Sequence, residues 1–442
     1  MARILCFISL IIIGFSSCKN RETRKEDHHA EFNRLAENYV RLGLFIGQYD
    51  PSFVDAYYGP DSLRPAPVKD TFFPRDSLLQ VVNQMISSVA RYSDTTFAND
   101  TLQLRAGWIG KQLQAFGRRI RWVAGEKVSF DREAKELFDV EPPHYSEHHF
   151  KSLIVTLDSL LPGKGNIQER VLALSKEFII PKNKVDTVFK AAYNEARKRT
   201  IAQMDLPAGE KFQFEYVTGK PWSGYNWYKG NYTSLIQQNL DLPIAIERAI
   251  DLACHEGYPG HHVYNMLLEK NLYRDKGWVE ISLYPLYSPQ SLIAEGSANF
   301  GIEMTFPGEE KNRFAKQVLF PLAGLDTANA DIYFQMLEIK SKLNYARNEA
   351  ARGVLDGTLD DESAIQWMMD YMLVSKAQAE KYLSFIKANH SYVICYNYGL
   401  DLVKNYIENN GGTVSSPAKR WALFRWLLSN PVTPRDLLDA RN

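Results

Sequence analysis

Cysteine is scarce in this chain, with four among 442 residues. Cys6 and Cys18 fall in an N-terminal apolar segment, so the body holds only Cys254 and Cys395 and at most one disulfide. A small secreted scaffold stapled by many bridges is thereby excluded. Neither sign of charge is in excess, since Lys+Arg and Asp+Glu number 52 each. No basic field argues for nucleic acid, and no acidic tail argues for a cation buffer. Internal repeats and low-complexity blocks are lacking too. The apolar run Ile4 to Phe15 is too short to span a bilayer as a helix. What is plentiful is core material: 45% of the residues are hydrophobic, ample for one or two domains. Aromatics make up 12%, including 24 Tyr and 8 Trp, a supply that suits pocket walls and large cores alike.

The N-terminus reads as a targeting segment. Arg3 precedes the apolar run, which ends in Gly14-Phe15-Ser16-Ser17-Cys18. Small residues running into a cysteine resemble a bacterial lipobox, after which Cys18 would be lipidated and become the first mature residue. An ordinary signal peptide with an incidental cysteine is the alternative. The hydrophilic stretch Lys19 to Asp27 follows like a tether. This start points to the bacterial cell envelope, and Lys19 after the anchor points by analogy to the outer membrane. The expected organisation is a signal peptide over 1–17, a tether over 18–30, an N-terminal helical region over 31–205 and a catalytic region with C-terminal helices over 206–442.

Apolar residues recur at helical spacing through most of the body, for example over Phe32 to Gln48, Leu102 to Val123 and Lys182 to Met204. Asp326 to Val354 reads as one long helix, and Glu380 to Ile407 as one or two. Lys211 to Thr218 alternates as a half-buried strand does, and Tyr225 to Tyr228 and Thr233 to Ile236 read as further short strands. The expected fold class is mainly α, with one small sheet just ahead of a histidine-rich segment. An edge strand in that position commonly binds substrate by strand addition.

That segment is His255-Glu256-Gly257-Tyr258-Pro259-Gly260-His261-His262, and Glu295 follows in Ala294-Glu295-Gly296-Ser297-Ala298. Two imidazoles and one remote carboxylate are a common zinc-hydrolase ligand set, and a spare glutamate beside the first imidazole is the usual general base. In a regular helix the two histidines would stand four apart. Here His261 lies six after His255, about 240° around a helix, and His262 lies seven after, on the same face but about 10 Å further along. Zinc requires both nitrogens within about 2.1 Å of itself. Pro259 breaks the helix, and Gly260 is expected to take unusual dihedrals that swing His261 back towards His255.

The segment resembles a bacterial domain-of-unknown-function family that carries His-Glu-x-x-Pro-Gly-His and, downstream, Glu-Gly-Trp-Ala, and whose members are regarded as gluzincin-like metallopeptidases. Glu295-Gly296 is similar to the downstream motif, with Ser297 in place of its tryptophan and Phe300 in place of its tyrosine. Lys220-Pro221-Trp222-Ser223-Gly224-Tyr225-Asn226-Trp227-Tyr228 is similar to the approach sequence. Arg352 and Asp356 resemble an Arg-x-Val-x-Asp segment without its terminal histidine, and Tyr396-Asn397-Tyr398-Gly399 keeps the family's Tyr-x-x-Gly. The resemblance covers roughly residues 140 to 410. It implies a zincin-like fold, a helical bundle around the small sheet, and one Zn2+ held by His255, His261 and Glu295. It also implies cleavage of short peptides or small amide substrates, and it favours His261 over His262 as ligand.

Roles follow. Glu256 would be the general base. Tyr396 is the candidate oxyanion donor, with Tyr392, Tyr398 and His390 as rivals. His262 is a ligand, a second-shell donor, a substrate contact or a structural residue. Glu303, two helical turns after Glu295, could orient a ligand histidine or pair with a surface cation. Arg352 could bind a substrate carboxylate or pair with Asp356. Asn239 and Tyr225 would line the cleft. His144, His148 and His149 cluster too, but no acid–base pair accompanies them, so an exposed helix start is favoured over a second metal site. Cys254 points about 100° away from His255 on a helix and is not counted as a ligand. Two other readings stay open: a zinc amidase or esterase acting on a non-peptide envelope substrate, and a non-catalytic envelope lipoprotein that keeps the fold for binding.

Overall fold

The computed structural model describes residues 28–68, 72–93, 100–220 and 222–439. The expected signal segment, the anchor Cys18 and most of the tether therefore lie outside the described residues. No helix among the described residues is long and apolar enough to cross a membrane.

The chain is mainly helical with two small sheets. The first expected helix occupies 28–46, and the next two fall at Asp100–Val123 and Val185–Ile201. In the last of these Val185, Val188, Phe189, Ala192, Tyr193 and Ala196 are buried, the three-and-four spacing of a helix with one face in the core. The single long helix expected over 326–354 is two, Ala330–Leu343 and Tyr345–Leu355. Apolar spacing carries across the break unchanged, so the pattern conceals it. The carbonyl of Asn344 at the junction accepts from Asn397 Nδ2 at 3.4 Å. The 380–407 stretch is likewise two helices, Lys376–Asn389 and Ile394–Asn409, joined by a tight turn at His390–Val393. His390 there has φ 51°. Its ring is held by Glu133 at 3.0 Å and lies flat on Trp122 with centroids 4.0 Å apart.

The expected sheet has three strands, β2 (Lys211–Val217), β3 (Gly224–Gly230) and β4 (Thr233–Asn239), in the order β2-β4-β3. β4 runs parallel to β2 and antiparallel to β3. The alternation in β2 turns Phe212 and Phe214 onto Tyr193 of the Val185–Ile201 helix, at ring distances of 5.3 and 5.2 Å. β3 is an edge strand. A second sheet, unforeseen from the sequence, pairs β1 (Val54–Tyr57) with β5 (Leu283–Pro285) antiparallel. Buried apolar residues from Phe32 to Leu437 form one continuous core.

At its centre, helix Pro289–Thr305 is buried along nearly its whole length. It crosses helix Ile394–Asn409 at two glycines. A Cβ on Gly296 would stand 2.3 Å from the Gly399 carbonyl oxygen, and one on Gly399 would stand 2.8 Å from that of Leu292. Backbone meets backbone, and no side chain fits between. Gly296→Ala should therefore cost about 1–3 kcal/mol through overpacking. Gly301→Ala, whose Cβ would meet Pro259 Cδ at 3.2 Å, should cost less. Thermal denaturation of both variants checks the order, and equal losses would show that the crossing is not the tight point.

Candidate metal centre

The histidines converge because the helix between them ends. The α-helix Glu247–Leu252 widens into a π turn over Ala253–Gly257, Tyr258 is extended, and a new helix starts at His261. The Tyr258 N–H donates to the Ala253 carbonyl at 3.0 Å and the Gly260 N–H to that of Cys254 at 2.8 Å. Pro259 has no N–H to donate. Gly260 was expected to take unusual dihedrals, and its pair of φ −76° with ψ −135° lies in neither the helical nor the extended region. Space demands glycine there as well. A Cβ would lie 1.9 Å from the His255 carbonyl oxygen and 2.4 Å from that of Cys254. The chain folds back tightly enough to bring the two Nε2 atoms to 3.2 Å, with ring planes at 88°.

Glu295 closes the triangle. Its Oε2 is 3.2 Å from His255 Nε2 and 3.6 Å from His261 Nε2. Ligand atoms about 2.0–2.1 Å from a tetrahedral zinc stand about 3.4 Å apart, so the three edges fit that ion. The same Oε2 is buried without a hydrogen-bond partner, an orphan aimed at the shared centre. These three residues are the only group among the described residues arranged to hold a metal ion. Supporting bonds surround them. Asn299 Oδ1 meets His255 Nδ1 at 3.0 Å, and Asn299 Nδ2 donates to the Tyr396 carbonyl at 2.9 Å. The Tyr392 hydroxyl donates to Glu295 Oε1 at 2.9 Å. Tyr392 stands on the turn that His390 begins, where Glu133 also accepts from Ser391 N and Oγ at 3.2 and 2.7 Å.

The electrostatics are those of a cation site. Burial works against the Glu295 charge, yet His261 and His255 hold its carboxyl well below the usual carboxylate range. Burial also pulls the His261 imidazole down, but Glu295, with Glu256 and Asp55 beyond it, raises it to about 9. Glu256 is 4% exposed. Its backbone carbonyl accepts from Asn226 Nδ2 at 2.6 Å, which ties it to β3. Gly224 leaves room for its carboxylate, since a Cβ there would sit 3.1 Å from Oε1. Asp55 reaches the site from β1 and accepts a hydrogen bond from the Tyr225 hydroxyl. Burial, with Glu295 and Glu256 adding their repulsion, lifts its carboxyl to about 6. Tyr396 feels the charges of Glu295 and Glu256 on one side and carries the Arg347 guanidinium 5.3 Å from its ring.

Several expected residues are elsewhere. His262 is fully buried and turned to the sheet, with Nδ1 2.8 Å from Ser234 Oγ and Nε2 3.2 Å from Glu210 Oε2. Both its nitrogens are occupied, so it neither joins the cluster nor meets substrate. Glu303 pairs with Lys404 at 2.8 Å, the surface pairing that was one of its two expected roles, and the partner of His255 is Asn299. Arg352 pairs with Glu349 at 2.5 Å and Asp131 at 2.9 Å, while Asp356 accepts from Phe130 N, so neither the substrate role nor the expected ion pair is found. His390 is committed to Glu133. Asn239 holds the loop before β3 through the Lys220 and Trp222 carbonyls. His144 is exposed and bound to Glu349 ahead of the helix Glu147–Leu160, whose first turn carries His148 and His149. Cys254 and Cys395 are both buried free thiols, and burial pushes the Cys254 thiol up to about 12.

Asn299 and Asp55 were not foreseen. Asn299 had a signal, since it lies four residues after Glu295 on one helix face. Asp55 had none; only the β1–β5 pairing brings it across two hundred residues of sequence.

No protein-family pattern and no curated protein matches the chain. Among solved structures it is similar to a "putative lipoprotein" from Colwellia psychrerythraea, at 15% identity and a TM-score of 0.50, over 82% of this chain and 65% of that one. The chain thus spans just under two thirds of that structure, and the likeness is one of fold. It is also similar to Trypanosoma cruzi metallocarboxypeptidase 1, at 11% identity and a TM-score of 0.42, over 93% of this chain and 95% of that one. A third likeness is to an M32 carboxypeptidase from Deinococcus radiodurans, at 9% identity and a TM-score of 0.41, over 93% and 94%.

Removing a bond that orients a ligand usually weakens a metal about 10–100-fold. Asn299→Ala should do so, and Glu303→Gln should leave affinity untouched. Competition with a chromophoric chelator measures both, and the reverse order would remove Asn299 from the site.

Proposed function

We propose that this chain is a zinc-dependent hydrolase that cleaves the amide bonds of short peptides. The observation that carries this reading is the triangle of His255, His261 and Glu295 with the buried Glu256 directly beside it in sequence and space. A zinc ion held there would supply a Lewis acid and bring the pKa of a water towards neutrality. Glu256 is placed to take a proton from the attacking water and to hand it to the leaving amine. Asn299 and Tyr392 would fix the ligands, Asn299 through His255 and Tyr392 through Glu295. That makes Tyr392 a positioning residue and leaves Tyr396 as the donor to the oxygen that gains charge during attack. β3, an edge strand bonded to Glu256 through Asn226, offers its open side to an extended peptide.

The N-terminal sequence supports a location. We read Cys18 as a lipid-anchored first mature residue that holds the enzyme in the bacterial envelope. The fold likeness to a chain described as a lipoprotein supports that reading.

Glu256→Gln should lower peptide turnover by about 10²–10⁴-fold and leave bound zinc at one per chain. Turnover with a peptide library, alongside elemental analysis, checks this; a variant as active as the parent would end the general-base assignment. Tyr396→Phe should lower kcat by about 10²–10³-fold with zinc retained, the loss usual for one oxyanion donor. Tyr392→Phe should show itself mainly in weaker zinc binding, and an exchange of these two phenotypes would exchange the roles.

A further inference from the structure

The cleft carries more negative charge than its proposed chemistry uses. Glu295 closes the cluster, Glu256 reaches it beside Gly224 of β3, and Asp55 arrives from β1 on the hydroxyl of the next residue, Tyr225. Three carboxylates against one dication leave one negative charge over. No lysine or arginine among the described residues pairs with any of the three. Arg347 lies over the rings of Tyr382 and Tyr396 and Lys229 over that of Trp227, and neither forms an ion pair with any of the three. Asp55 is the carboxylate without an assigned task. One of its oxygens accepts from the Tyr225 hydroxyl, and no described residue bonds the other.

The tyrosine that holds it belongs to an aromatic group. Tyr225 and Trp227 stand two apart on β3 and share a face, with ring centroids 4.5 Å apart. Trp222 closes on Tyr225 from the preceding loop at 5.6 Å. Trp227 is 36% exposed, and Gln237 Oε1 fixes its indole N–H at 2.9 Å. An exposed tryptophan pinned in this way is a wall facing solvent. It already attracts one ammonium, since Lys229 Nζ lies 5.4 Å from its ring. A carboxylate bonded to one member of a group of packed aromatic rings offers the recognition chemistry of an organic cation.

We propose that Asp55, held by Tyr225, whose ring packs against Trp222 and Trp227, is a subsite for a protonated amine of the substrate. The carboxylate forms a charge-assisted hydrogen bond to the ammonium, and the rings cover its carbon neighbours. A peptide's own N-terminus and a lysine side chain present the same group. The proposal rests on the peptidase reading only for the statement that the amine belongs to a peptide.

Binding and turnover separate the two ideas. The zinc-loaded full chain carrying Glu256→Gln is titrated calorimetrically with short peptides that differ only by N-terminal acetylation. A second pair of acetylated peptides differs by lysine against norleucine. In one of the two pairs the free-amine member should bind at least about tenfold more tightly, the scale of one hydrogen bond to a charged group. That pair identifies the source of the amine. Adding Asp55→Asn should bring the ratio to about one with zinc content unchanged. The exposed Trp227→Ala, a second variant away from the core, should cut the ratio severalfold. Equal binding within both pairs, no binding of any peptide, or a preference that survives both variants would overturn the subsite. Amine-selective binding by a parent protein that cuts no peptide would instead end the peptidase reading and leave the subsite standing.

Discussion

Two imidazoles six residues apart can meet only if the helix between them stops, and the return of the chain onto the His255 carbonyl is the constraint on which the site depends. Gly260 stands where any side chain would overlap that oxygen, and its N–H satisfies the Cys254 carbonyl. The π turn over Ala253–Gly257 widens the last turn of the first helix, and His261 opens the next. Glu295 then needs only to sit on a helix that passes the break. Gly301 of that helix rests against Pro259, so the interruption and the carboxylate are positioned by one contact surface.

Around this point the structure divides labour between rigid and exposed parts. The cluster and its immediate partners come from the most buried helices, where Asn299 and Tyr392 lock ligand geometry by short bonds. Glu133, more than a hundred residues before Glu295, fixes the turn that presents Tyr392. The face towards solvent is instead built by strands, with Trp227 exposed on β3 and Asp55 arriving from β1. Such an arrangement keeps the cluster still and leaves the solvent face to residues that can change without disturbing it.

The sequence made local things legible. The meeting of His255, His261 and Glu295 could be expected because a metal site needs few residue types at recognisable spacings, and β2 because its alternation is strict. Helix breaks at Asn344 and at His390–Val393 stayed hidden, because apolar periodicity runs through them and the cause lies in distant partners, Asn397 and Glu133. The same limit explains why the roles of the secondary residues stayed open in the sequence. Glu303 and Arg352 carry the right groups for the roles considered, but Lys404, Glu349 and Asp131 claim them. His262 differs from His261 by one step of the helix, and that step turns it to Ser234 and Glu210 in the sheet. Asp55 could not be found by spacing at all, since a tertiary strand pairing supplies it.

The meeting of Gly296 with Gly399 has a bearing on how such a chain can diverge. Most of the core is mutually adjustable, because a lost methylene in one side chain can be filled by its neighbour. A seam formed by two bare backbones offers nothing to trade. Mutational drift should therefore spare these two positions longest, and together, while the surface that meets ligand wanders freely. Preserved small residues one after Glu295 and in the C-terminal tyrosine motif would then mark distant cousins more dependably than overall identity does.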